Sequence, residues 1–278
     1  MIKLFKYQYI SYLYLFILTL TSHKVFSQLF SSDQNPPSVK FRQINTSQFQ
    51  IIYPTLLEHE AQKVANILTL IIDDVSKSLG KKPSPISIIL QNQGVVSNGF
   101  VQMAPRRSEF YTIPGQEFDA QDWLSSLAVH ELRHVVQFDK LAPKLNAPLF
   151  EELKLALFGI NLPPWFFEGD AVFQETFLSD QGRGRMPAFF NGYRSIWEAG
   201  KNYSYQKLRN GSYRDYVPNH YQLGYLLVSQ GKEQYGPLFW KNVTNDAASM
   251  KGVFYPFQKA IKKHSGKDFV DFRESAIR

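Results

Sequence analysis

The chain has 278 residues, 44% of them hydrophobic, and no cysteine. This excludes a collagen-like or low-complexity chain, a disulfide scaffold, a cysteine protease, a thioether-linked lipoprotein and any zinc module built on thiolates. The formal net charge of +7 includes no lysine/arginine block of the kind that reads nucleic acid, so no nucleic-acid partner is expected.

Residues 1–27 have the layout of a secretory signal peptide. Lys3 and Lys6 give a basic start, and Ile10 to Leu20 is an uncharged, mostly apolar run. Val25 and Ser27 are the small residues before a cut ahead of Gln28. The apolar run falls short of the ~20 residues of a membrane span, so an uncleaved anchor is the weaker reading, and no stable membrane insertion is expected after cleavage. Without Lys3, Lys6 and Lys24 the mature chain has 28 basic and 24 acidic residues, a mild net +4.

The expected domain runs from 28 to 278 and opens on a polar stretch, 28–37, that ends in the paired Pro36 and Pro37. Residues 39–54 read as two short strands around a polar turn, with Phe49, Ile51 and Tyr53 alternating. Residues 56–80 place Val64, Ile67, Leu68, Ile71 and Val75 at helical spacing, and Gly80 stops the helix. Residues 86–91 (ISIILQ) read as a buried strand, followed by strand candidates at 98–105 and 108–114. From 119 onwards the pattern is mostly helical. The fold class is therefore α+β: a small mixed sheet (38–114) with a helix packed on it, then a helix-rich part (119–278).

The first helix after the sheet carries the chemistry. Asp119 can cap it, with Asp122 near the positive end of its dipole. It contains His130-Glu131-Leu132-Arg133-His134. Residues four apart share a helix face, so His130 and His134 can present two imidazoles to one cation. Glu131 stands beside them and can reach a metal-activated water without being a ligand. The competing reading is a core helix with two satisfied histidines. Arg133 is not a ligand and is best used as the partner of an acid.

A catalytic zinc needs a third protein ligand and an open position. Glu151 and Glu152 follow His134 after 16 and 17 intervening residues, Glu168 after 33 and Glu175 after 40. Spacing leans to the first pair. Local chemistry favours Glu168, because Pro163-Pro164 marks a helix start, Trp165, Phe166 and Phe167 would wall the site, and Gly169 leaves room for close approach. Glu151 and Glu152 are explained as acids at a helix N-terminus.

His130-Glu131-x-x-His134 followed by Trp165-Phe166-Phe167-Glu168-Gly169-x-Ala171 resembles the gluzincin metallopeptidases, which are peptidase-MA-like and of aminopeptidase N/thermolysin type. The aminopeptidase N-like branch is the nearest likeness, and the mature chain looks like an exported bacterial member. The resemblance implies a zincin-like fold with one zinc per chain, held by His130, His134 and Glu168, and with Glu131 as general base. Tyr221 in Tyr221-Gln-Leu-Gly224 matches the branch's Y-x-x-G tyrosine, which implies a donor to the tetrahedral intermediate. His220 is a second candidate donor, and Tyr216 and Tyr225 are weaker ones.

The segment before the zinc helix, NGFVQMAPRRSEFY, lacks the branch's motif for gripping a substrate amino terminus, which favours endopeptidase over aminopeptidase action. The longer spacer before Glu168 implies an extra helix at 150–159. Val172 stands where thermolysin-type enzymes carry an aspartate, and Asp170 has no assigned use beyond an acid in a first helical turn. Substrate peptide is expected along an exposed strand edge, from 98–103 or 108–113. The alternative is a catalytically silent, metal-containing binding or scaffold module of the cell envelope. Against it, Glu131 is not needed to hold a metal and is nonetheless present.

Overall fold

The computed structural model describes residues 35–103, 105–115, 121–141, 163–249 and 255–277. Residues Pro37–Arg278 make one compact unit, with the residues before them in a separate one. The segment expected to be a signal peptide, Asp119, Glu151, Glu152 and the helix expected at 150–159 lie outside the described residues.

Five strands form one mixed sheet: β1 (Phe41–Asn45), β2 (Phe49–Pro54), β3 (Ile86–Gln91), β4 (Gly99–Met103) and β5 (Arg106–Tyr111), in the order β1-β2-β3-β5-β4. The β1–β2 and β4–β5 pairs are antiparallel, whereas β2–β3 and β3–β5 are parallel. Helix α1 (Glu58–Lys77) makes the crossover from β2 to β3. It is shorter than 56–80, because Thr55–Leu57 winds as a 3-10 turn and the chain leaves the helix before Gly80, whose φ is 62°. Of the two segments expected to offer an edge, β4 stands last in the strand order among the described residues. β5 is paired on both sides.

The alternation in β2 and β3 sends Phe49, Ile51, Tyr53, Ile86, Ile88 and Leu90 to one face, where they meet Val64, Leu68, Ile72 and Val75 of α1. Each such side chain removed from water contributes about 1.5–3 kcal/mol, so the period-two and period-3.6 patterns together fix which face receives the helices. Against that face and α1 lies α2 (Trp123–Leu141), whose own Leu124, Leu127, Ala128, Leu132, Val135 and Val136 complete the layer.

The helical part continues with α3 (Pro164–Phe177), α4 (Asn191–Glu198), α5 (Tyr205–Asn210), α6 (His220–Tyr235), α7 (Phe239–Ala248), α8 (Pro256–Ser265) and α9 (Phe269–Ile277). Trp165 and Phe166 of α3 point into an aromatic cluster with Trp240, Phe257 and Phe269. They form core, so the wall expected from all three aromatics is supplied at the site by Phe167 alone of the three. Among the described residues, no helix is long and apolar enough to cross a membrane.

Candidate metal centre

Helix α2 starts one residue after its cap: the Asp122 carboxylate accepts from the Ser125 N–H at 2.8 Å, closing an orphan donor of the first turn. From that start, His130, Glu131 and His134 all fall on buried positions, the two histidines facing Glu168 of α3. Helix α3 begins at Pro164, whose missing N–H costs nothing in a first turn. Glu168 then lies one turn in, opposite the imidazoles.

His130 Nε2 and His134 Nε2 are 3.0 Å apart, and Glu168 Oε2 lies 3.3 and 3.5 Å from them. His130, His134 and Glu168 thus form a group able to hold a metal ion. The distal nitrogens point the same way chemically. His130 Nδ1–H donates to Glu175 Oε1 at 2.5 Å, and His134 Nδ1–H donates to Gln137 Oε1 at 2.9 Å. With Nδ1 donating in both rings, the two Nε2 atoms turn lone pairs towards each other, an arrangement that a shared proton or a cation relieves.

The electrostatics agree. Burial works to lower the His130 pKa, but the Glu175 and Glu168 carboxylates override it and raise it to about 9. Burial works to raise Glu168, and the two histidines hold it well below the usual carboxylate range instead. The three atoms therefore surround a place that favours positive charge. Glu168 Oε2 and Glu131 Oε2 are both buried without a hydrogen-bond partner, an expensive condition unless something else meets them. Two imidazole nitrogens and one carboxylate oxygen suit zinc, and the residues fit such an ion.

A second layer of contacts holds each imidazole. Glu175 is clamped by Arg183, whose Nε donates at 2.9 Å and whose Nη2 donates to the other oxygen. Burial would raise Glu175, and the guanidinium, with His130, brings it down to about 2, so it remains an acceptor. Gln137 passes the His134 contact on, donating to Asp170 Oδ2 at 2.8 Å and to the Phe167 carbonyl at 3.0 Å. Asp170 in turn receives Arg133. So Asp170, read from the sequence as a first-turn acid only, carries a buried support of the site. Arg133 takes an acid as its partner, as expected. Glu175, weighed as a third ligand, is instead on the Nδ1 side of His130, away from the converging atoms.

Glu131 is buried, and its pKa is raised, chiefly by burial. Gly99, the first residue of β4, lies so near that a Cβ there would stand 3.0 Å from Glu131 Oε1. The edge strand therefore begins beside this carboxylate. On the other side Asn219 caps α6, its Oδ1 accepting from the Tyr221 N–H at 2.8 Å. That fixes Tyr221 in the first turn, with its ring 6.5 Å from the His130 imidazole and 12° from parallel to it. Burial, then the nearby Glu168 charge, pushes the Tyr221 hydroxyl pKa up, so it stays a proton donor.

Gly169 and Gly224 let α3 and α6 touch backbone to backbone, since a Cβ on Gly224 would lie 1.8 Å from the Trp165 carbonyl oxygen. His220 stands beside Tyr221 with ring centroids 5.0 Å apart. Tyr216 is 65% exposed, and Tyr225 packs among Phe173, Phe189 and Phe190 instead.

No family model and no curated protein matches the chain. Among solved structures it is similar to an aminopeptidase N family protein from Idiomarina loihiensis, at 13% identity and a TM-score of 0.49, over 86% of this chain and 46% of that one. The chain thus spans less than half the length of that protein.

Proposed function

We propose that this chain is an exported zinc-dependent peptidase that hydrolyses peptide bonds within proteins or peptides, as an endopeptidase rather than an aminopeptidase. The observation that carries this reading is the buried, unpartnered Glu131 Oε2 beside His130, His134 and Glu168. A site that only retained a metal would gain nothing from an extra desolvated carboxylate.

His130, His134 and Glu168 would hold the zinc. When bound, zinc supplies Lewis acidity to the scissile carbonyl and makes a coordinated water acidic near neutral pH. Glu131, its pKa raised by burial, is the residue that would accept a proton at Oε2 from the attacking water and pass it to the leaving amine. The Tyr221 hydroxyl donates to the oxyanion that develops as the carbonyl becomes tetrahedral. Substrate backbone lies along β4, the last strand in the sheet order among the described residues, which starts at Gly99 beside Glu131. The basic, apolar and small-residue runs of residues 1–27 support export with a cut after Ser27.

The test is zinc content and casein hydrolysis of the purified protein beside Glu131→Gln. The expected result is one zinc per chain in both and hydrolysis only in the unmodified protein. Zinc in both with no hydrolysis in either would favour the silent module, and no zinc in either would overturn the metal centre.

A further inference from the structure

Arg183 touches both the second layer, at Glu175, and the donor side of the site, at Tyr221. It lies in the 3-10 turn Arg183–Arg185, which folds back on the C-terminal half of α3. The Gly184 N–H donates to Thr176 Oγ1 at 3.0 Å, and Arg185 Nη1 donates to the Ser179 carbonyl at 2.5 Å. Gly182 makes the return possible, since its φ is +53° and a Cβ would stand 2.4 Å from the Thr176 Cα. A turn tied at these points delivers Arg183 into the site.

There the guanidinium meets three groups, and its Nη2 lies 3.1 Å from His130 Nδ1 itself. Its Nε and Nη2 engage both oxygens of Glu175, the acceptor of His130 Nδ1–H. Its carbon also lies 5.4 Å from the centroid of the Tyr221 ring, within cation–π range. Glu175 is 2% exposed, so without the guanidinium its carboxylate would be a buried charge facing the imidazole alone. The Tyr221 ring, nearly parallel to the His130 imidazole, would lose the group that backs it.

Building on the metal-centre reading above, we propose that Arg183 is a positioning residue shared by two groups of the site. It holds His130 through Glu175 and holds Tyr221 by lying against its ring, so that metal retention and the placement of the hydroxyl donor rest on one side chain.

The test uses purified protein labelled with 3-fluorotyrosine. Zinc dissociation constants come from competition with a chromophoric chelator, and the Tyr221 fluorine resonance is assigned by its loss in Tyr221→Phe. Arg183→Met is expected to weaken zinc binding about 10–100-fold, the usual cost of losing an outer-shell partner, and to move the Tyr221 resonance. Glu175→Gln should weaken zinc to a similar degree. The double variant should be no weaker than the weaker single, because both act at one atom, His130 Nδ1, which Glu175 accepts from and beside which Arg183 Nη2 lies at 3.1 Å. Tyr221→Phe should bind zinc like the unmodified protein.

Arg183→Lys keeps the charge without the fork and should lose zinc affinity while folding, so it carries the same test if the methionine variant does not fold. Unchanged zinc affinity, an unmoved Tyr221 resonance or additive losses in the double variant would each overturn the proposal and leave the metal centre standing. A wild-type protein that takes up no zinc overturns both.

Discussion

Arg133 and Asp170 form a fully buried ion pair, with Nε and Nη2 donating to the two carboxylate oxygens at 2.7 and 2.9 Å. The pair ties α2 to α3, and Arg133 also donates to the Val75 carbonyl of α1, so one side chain joins the three helices around the candidate metal centre. Burial pushes the Asp170 pKa up, but the Arg133 charge and hydrogen bonds outweigh it and hold it low. A carboxyl held low in the folded state adds stability that is whole above its unfolded pKa of about 3.9 and is lost as pH falls towards the folded value. Asp170→Asn, which strands a buried guanidinium, is expected to cost about 3–5 kcal/mol at pH 7 in urea denaturation. The gap to wild type should narrow by about 1 kcal/mol at pH 3. A gap of the same size at both pH values would refute this account of the pair.

The contact between Gly224 and Trp165 predicts a second effect. Gly224→Ala places a methyl group 1.8 Å from a backbone oxygen, which no side-chain rotation relieves. The helices α3 and α6 must separate, at a cost of about 1–3 kcal/mol. Glu168 and Tyr221 sit one residue and one turn from the two glycines, so both move with the helices. The variant should melt several degrees lower and bind zinc more weakly. A wild-type melting temperature would show that the close approach is not required.

The two glutamates of α3 should separate cleanly. Glu168→Ala removes an atom that converges on both Nε2 positions and is expected to abolish stoichiometric zinc uptake. Glu175→Gln removes only the charge behind His130 Nδ1, so one zinc per chain should still bind at saturation, with affinity down about 10–100-fold. Metal analysis after dialysis distinguishes them, and the reverse ranking would exchange their roles.

Much of this site was legible because its parts are local. The His130/His134 spacing needs only a helix, and the apolar periodicity of α2 supplies one. The β3 boundaries at Ile86 and Gln91 follow from an apolar run closed by Pro85 and Asn92. The part of the second layer that crosses between helices was not legible, because its contacts join distant residues, Gln137 to Asp170 over 33 positions and His130 to Glu175 over 45. A signal for Glu175 does exist, since it lies seven residues after Glu168 and so returns to nearly the same face of α3 two turns later. Asp170 gave no such hint. It lies on another face of a helix buried on several sides, where periodicity no longer separates core from site. Which of β4 and β5 would be the edge depended on a strand order that neither sequence encodes locally.

Gly99 tests the role of Glu131 without touching a ligand. A Cβ at this position would stand 2.6 Å from Leu127 Cδ1 and 3.0 Å from Glu131 Oε1. The leucine methyl can swing away at little cost, whereas the Glu131 carboxylate is confined and must shift. Gly99→Ala should therefore keep its zinc and near-normal stability while casein hydrolysis falls severalfold, less than the roughly hundredfold expected for misplacement of a catalytic group by about 1 Å. Adding Leu127→Ala relieves the shorter contact and leaves the one to Glu131. If the loss comes from Glu131, hydrolysis stays low in the double variant with zinc still bound. Recovery of hydrolysis in the double variant would trace the loss to helix packing and remove this support for Glu131 as the base.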